Sequence, residues 1–170
     1  MRKVRKWVLL FLIFLLIEIL QVSIFSKVVI FGVHPDLCFL FTIVLSFRYG
    51  EKKGALIGMC AGLAKDIAFI DVFGVALFTY VISGYFFGLL KHRYYQEGIV
   101  FQIAFVFVAC LMQGLMQYMV FVFLEGYMDF TPAVFGLIIP VSILTTLFTP
   151  LASFCGKYFD KLLIADVWKL

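Results

Sequence analysis

The stretch Gly54-Ala-Leu-Ile-Gly58-Met-Cys-Ala-Gly62-Leu-Ala-Lys-Asp66 places three glycines and a carboxylate at successive steps of four residues. Four residues is slightly more than one α-helical turn, so these positions fall along one narrow face. Three glycines leave a groove bare of side chains, where another helix can approach backbone to backbone. The groove ends in Asp66, inside a largely apolar run over residues 54–70. A charge in that setting costs roughly 3 kcal/mol or more unless it is paired, hydrated or neutralised. The stretch reads as a packing seam with a polar anchor, inside a membrane.

The rest of the chain has the composition that reading needs. It is 65% hydrophobic and 14% charged, with 22 Phe in 170 residues, against roughly 25% charged in soluble domains. No polar stretch is long enough for a soluble domain, so the membrane domain is the whole chain, residues 1–170. Charges and turn formers divide it into six apolar segments, at about 7–25, 29–47, 54–70, 73–90, 99–124 and 132–155. Roughly 20 residues suffice for each span. The expected fold is an all-α integral membrane protein, a six-transmembrane-helix bundle. The second segment is interrupted by Gly32 and by His34-Pro35-Asp36, so a tilted or broken span is expected there.

Orientation follows from the basic residues. With both termini in the cytoplasm, the inner pieces are 1–6, 48–53, 91–98 and 156–170, which hold 12 of the 14 Lys and Arg. The outer loops carry Asp36, Asp71, Glu125 and Asp129. The +4 net charge is thereby accounted for without nucleic acid. The basic start and apolar run resemble a signal peptide, but no small-x-small cleavage site follows, so an uncleaved first span is expected. Cys38, Cys60, Cys110 and Cys155 lie in separate segments without C-x-x-C spacing and suggest neither disulfides nor a metal.

An enzyme is not expected. The only histidines, His34 and His92, fall on opposite sides of the membrane in this topology, and neither H-E-x-x-H nor G-x-S-x-G occurs. No cofactor is implied. The polar residues inside the spans each have two readings. Asp66 is either a structural carboxylate paired with Lys65, Lys27 or a backbone donor, or a contact to a partner helix. Pro35-Asp36 is a helix start, or a contact to the turn Asp71-Val72-Phe73-Gly74. Glu18 could bond Gln21 or a neighbouring span, or be protonated. Gln102, Gln113 and Gln117, beside Gly114, supply interhelical hydrogen bonds or line a small-molecule cavity. Gly84 and Gly88 add a second small-residue step in the fourth segment. Pro140 and Pro150 are expected to kink the sixth, with Thr145, Thr146 and Thr149 available to bond freed carbonyls.

The order of these motifs resembles the rod shape-determining protein MreD family. The residues that carry the resemblance are Pro35-Asp36-Leu37, the basic loop Arg48 to Lys53, Gly62-Leu63-Ala64-Lys65-Asp66, and Gly74-Val75-Ala76-Leu77. They cover about residues 32–90; the first segment and the last two match in length and hydrophobicity alone. The resemblance implies a non-enzymatic, multi-pass component of the bacterial cytoplasmic membrane and of the elongation machinery. Such a protein would bind MreC and thereby help couple MreB filaments to RodA and a class B penicillin-binding protein, which build the lateral wall. The family is also similar in fold to the substrate-binding S-components of energy-coupling-factor transporters.

That similarity supplies the alternative function, vitamin capture. An S-component needs an outer pocket with convergent polar groups and often docks through an Ala-x-x-x-Ala pattern on its first span. The first segment here has neither Ala nor Gly. The expected site residues are Gly54, Gly58, Gly62, Gly84 and Gly88 as a helix-packing or partner seam, and Pro35, Asp36, Asp66 and Gly74 as polar anchors. Gly58→Leu is then expected to break assembly, and Asp66→Asn to be milder if the carboxylate only hydrogen-bonds. The short basic inner loops are expected to meet anionic lipid.

Overall fold

A computed structural model describes residues 2–25, 32–68, 73–91, 98–126 and 129–159. Within these residues the architecture is all-helical. Helix α1 is Arg2–Phe25, α2 Leu37–Tyr49, α3 Glu51–Ala68, α4 Val75–Leu89 and α5 Ile99–Glu125. The last part of the chain forms α6 (Phe130–Ala133), a π-helical turn (Val134–Ile138), α7 (Ile139–Leu147) and α8 (Thr149–Phe159).

Helix α2 is the centre of the molecule. Nine of its 13 residues are buried, from Cys38 to Leu40 and from Thr42 to Phe47, and it packs on α1, α3, α4, α5 and α8. A helix apolar on all sides belongs in such a place. The hydroxyls of its buried Thr42 and Ser46 stay satisfied by bonding back one turn, Thr42 to the Cys38 carbonyl at 2.9 Å and Ser46 to the Thr42 carbonyl at 2.6 Å. Phe47 lies against Phe87 of α4 and Phe105 of α5, with ring centroids 6.1 and 5.4 Å apart. The outside of the bundle is as apolar as the inside. Phe123 is 89% exposed, and Val100, Met119 and Leu147 are comparably bare. Apolar patches of that extent suit lipid, not water.

The second apolar segment becomes helical only at Leu37. Gly32 has φ +80°, and Pro35 disfavours helix at His34, so the chain is irregular through Asp36. The resulting α2 is ~20 Å long, short of the ~30 Å hydrocarbon thickness. Among the described residues, two helical stretches are long and apolar enough to cross a membrane, Ile99–Leu124 and Phe130–Leu147. Helix α3 has the length, but its glycines and its charged residues Glu51, Lys52, Lys53, Lys65 and Asp66 lower its hydropathy.

Both prolines of the last segment leave a mark. Pro140 has no N–H and its ring crowds the carbonyl one turn back. The preceding turn widens, and the Ile139 N–H reaches the Val134 carbonyl five residues away. At Phe148 the rod breaks, with its N–H on the Thr145 carbonyl at 3.2 Å. Pro150 then sits in the first turn of α8, where its missing donor does no harm.

Candidate functional site

Helices α3 and α4 run antiparallel with almost nothing between their backbones. Gly54 faces Gly84, Gly58 faces the backbone of Tyr80 and Val81, and Gly62 faces Ala76 and Leu77; Gly88 faces Gly50 and Glu51. A methyl group added at Gly58 would lie 2.7 Å from the Tyr80 carbonyl carbon, and one at Gly62 2.6 Å from the Leu77 Cα. At Gly84 the figure is 2.9 Å to the Gly54 carbonyl carbon, and at Gly88 2.7 Å to the Glu51 Cα. At Gly54 a methyl would meet the Ser46 Cβ at 2.9 Å and the Gly84 carbonyl oxygen closer still. These neighbours are largely backbone, which yields only if whole helices separate. The groove is filled along its length by α4 of the same chain, so it offers no room to a partner helix.

Asp66 closes one end of this seam. Its Oδ2 accepts from the N–H groups of Gly74 and Leu77, both at 3.0 Å, and its Oδ1 from that of Ala76 at 3.1 Å. The first N–H groups of an α-helix have no partner within the helix, and they carry the positive end of its dipole. Gly74, the N-cap of α4, has no side chain to satisfy them. A carboxylate from the neighbouring helix does so instead. Gly74 itself has φ +100° with open space around it, so the conformation, not crowding, requires glycine there.

This geometry sets the size of the effect expected of Asp66→Asn. An amide supplies one acceptor oxygen where three donors converge, and its NH2 would point at N–H groups. The substitution is expected to cost about 1–3 kcal/mol. It should appear as a lowered melting temperature and as faster hydrogen exchange at Gly74, Ala76 and Leu77. Unchanged exchange at those three amides would contradict the capping role.

Asp36 is the second anchor and the more connected one. As N-cap of α2 it accepts from the Phe39 N–H at 2.9 Å, following the buried Pro35. Its carboxylate is paired with Lys65 of α3. The Tyr80 hydroxyl of α4 donates to both of its oxygens at 2.9 Å and accepts from Lys65 Nζ at 3.1 Å. Gln113 Nε2 of α5 approaches Asp36 Oδ2 at 3.5 Å. The Asp36 N–H donates to Thr145 Oγ1 of α7 at 2.9 Å. One residue thus joins α2, α3, α4, α5 and α7. Next to it, Gln21 of α1 accepts from the Leu37 N–H at 2.9 Å, so the first apolar segment of the chain touches the same cluster.

The structure brings Asp36 and Asp66 to the same end of the bundle but gives them separate partners. Lys65 serves Asp36, not its neighbour Asp66, and the Gly74 turn belongs to Asp66, not Asp36. Lys27, Asp71 and His92 lie outside the described residues. Glu18 is wholly buried beside Cys38, and its oxygens accept no hydrogen bond from the described residues. Gln102 accepts from Ser153 at 3.1 Å, which joins α5 to α8. Tyr80 is the residue that sequence reasoning missed. Its signal was its step of four before Gly84, on the face of α4 that α3 covers. Among the described residues no group of three or more His, Cys, Asp or Glu comes together in a way that could hold a metal ion.

The rod shape-determining protein MreD family profile matches residues 1–158. The chain belongs to the MreD family. The match takes in the first apolar segment and the last two, where the motifs themselves were silent. MreD proteins are membrane-bound and shape-determining and are not known as enzymes, and the family points to the cell-elongation machinery. No curated protein and no solved structure matches the chain. In this MreD, the motif residues Pro35, Asp36, Asp66 and Gly74 all belong to the two carboxylate clusters at one end of the bundle, and Lys65 ties α3 into the Asp36 cluster.

Proposed function

We propose that this chain is a six-span scaffold of the bacterial cytoplasmic membrane, with both termini inside, that holds MreC in the elongation complex. Through MreC it would help couple MreB filaments to RodA and a class B penicillin-binding protein. The family match across residues 1–158 carries this reading. The placement of charges supports it. Arg48 ends α2, Lys52 and Lys53 begin α3 and Lys91 follows α4, all at the end away from Asp36 and Asp66. With the basic end toward the cytoplasm and its anionic lipid, the two carboxylate clusters lie at the outer end. There they brace the surface that a partner with a large extracytoplasmic domain would meet.

Co-purification from the native membrane in mild detergent, with partners identified by mass, tests this. Recovery of an MreC-like single-span protein together with wall synthases is expected. Recovery of paired ATPases with a transmembrane coupling subunit would replace this reading with vitamin uptake by an S-component.

A further inference from the structure

Beside the Asp36 cluster, between the start of α2, helix α5 and the π-turn, lies a cavity of about 410 Å³. That is far more than one ordered water needs and is within the range of small-ligand sites. Its wall is predominantly apolar, with a few polar groups set into it, among them His34, Asp36, Lys65, Gln113, Gln117 and Thr145. Most of these groups are engaged in holding helices together, but two have hydrogen-bonding capacity to spare. Neither the Gln113 side-chain carbonyl, on a residue 4% exposed, nor the Gln117 amide bonds any described residue. Asp36 and Lys65 cancel each other, and no other carboxylate, lysine or arginine lines the wall. The lining also reaches Phe121 and Leu137, 36% and 53% exposed. The cavity therefore communicates with the apolar exterior. Leu137 belongs to the π-turn, a backbone irregularity found frequently at functional sites.

We propose that this cavity binds the uncharged, hydroxyl- or amide-bearing head of a membrane amphiphile. The head lies against Gln113 and Gln117, and the tail leaves between Phe121 and Leu137. A charged phosphate head fits poorly, since the single lysine is already neutralised. A fully water-soluble ligand leaves the apolar mouth without a partner. The site is independent of which protein the bundle meets outside the membrane.

The test uses the full chain in phosphatidylglycerol nanodiscs doped with monoglucosyldiacylglycerol, read by native mass spectrometry. A parallel series offers glucose alone from the aqueous side. The glycolipid is expected to stay bound in preference to phosphatidylglycerol. Gln117→Leu, at a residue without a structural partner, should reduce retention about fivefold to a hundredfold while helix content and melting temperature hold. Val141→Trp, which fills the cavity, should do the same. Equal retention of glycolipid and phosphatidylglycerol, or equal retention by the wild type and Gln117→Leu, would reduce the binding to ordinary annular lipid and overturn the proposal. Glucose bound as tightly as the glycolipid would overturn the amphiphile in favour of a water-soluble ligand.

Discussion

Gly58→Leu is expected to leave almost no folded protein to purify. A leucine at this position has the Tyr80 carbonyl where its Cβ must go, and a backbone cannot adopt another rotamer. Helices α3 and α4 would have to part, opening the seam at Gly54 and Gly62 as well. Overpacking costs about 1–3 kcal/mol where side chains can adjust; here the loss is expected to exceed ~3 kcal/mol, because they cannot. Met59→Leu is the control, one residue away on the exposed face of α3, and should be neutral. Detergent-solubilised yield and thermal melting read the first effect, and cell width reads its consequence. A Gly58→Leu protein that melts like the wild type and supports normal width would remove the basis for the seam.

Asp36→Ala should be almost as damaging, for an electrostatic reason. It leaves the Lys65 ammonium within the bundle with only the Tyr80 hydroxyl as partner, and it removes the N-cap of α2. Breaking one side of a fully buried pair costs about 3–5 kcal/mol; the Lys65 and Asp36 side chains are 18% and 12% exposed, which puts the loss toward the lower end, and loss of the cap adds about 1 kcal/mol. A melting temperature lower by roughly 10 °C or more is expected. The double variant Asp36→Ala with Lys65→Met should recover part of that loss, because the stranded charge is then gone. If the double variant is no more stable than Asp36→Ala, the damage comes from the cap and not from the charge, and the ion pair contributes little.

The part of this fold that was legible in the sequence is the part with a period. The spacing of Gly54, Gly58 and Gly62 is visible by inspection, as is the helix start at Pro35-Asp36, because both are local. For Asp66 a backbone donor was one of the readings, but the partners of Asp36 were not legible, because they depend on which helices meet. Lys65 is 29 residues from Asp36, Tyr80 is 44 away, Gln113 is 77 and Thr145 is 109. Thr145 illustrates the difficulty. Its neighbourhood of prolines suggested a hydroxyl bonding a freed carbonyl, whereas Thr146 beside it bonds back one turn to the Ser142 carbonyl. Thr145 instead accepts from the start of another helix. Similarly, the glutamines of α5 offered two readings, and the structure divides them. Gln102 bonds α8, Gln117 lines the cavity, and Gln113 both lines it and reaches Asp36.

The glycine seam has a consequence for how this protein can vary. Every amino acid other than glycine carries a Cβ, and at five seam positions a Cβ has nowhere to go. Those positions have no neighbouring solutions in sequence space, and drift there is closed in all directions at once. On the outward faces of the same two helices, Leu56, Met59, Phe78 and Phe86 are exposed, and one apolar residue can replace another freely. Related chains should therefore diverge along the outside of the α3–α4 hairpin while its inside stands still. A comparison of such chains that found the two faces equally changeable would mean that the hairpin can be rebuilt by compensating changes in pairs.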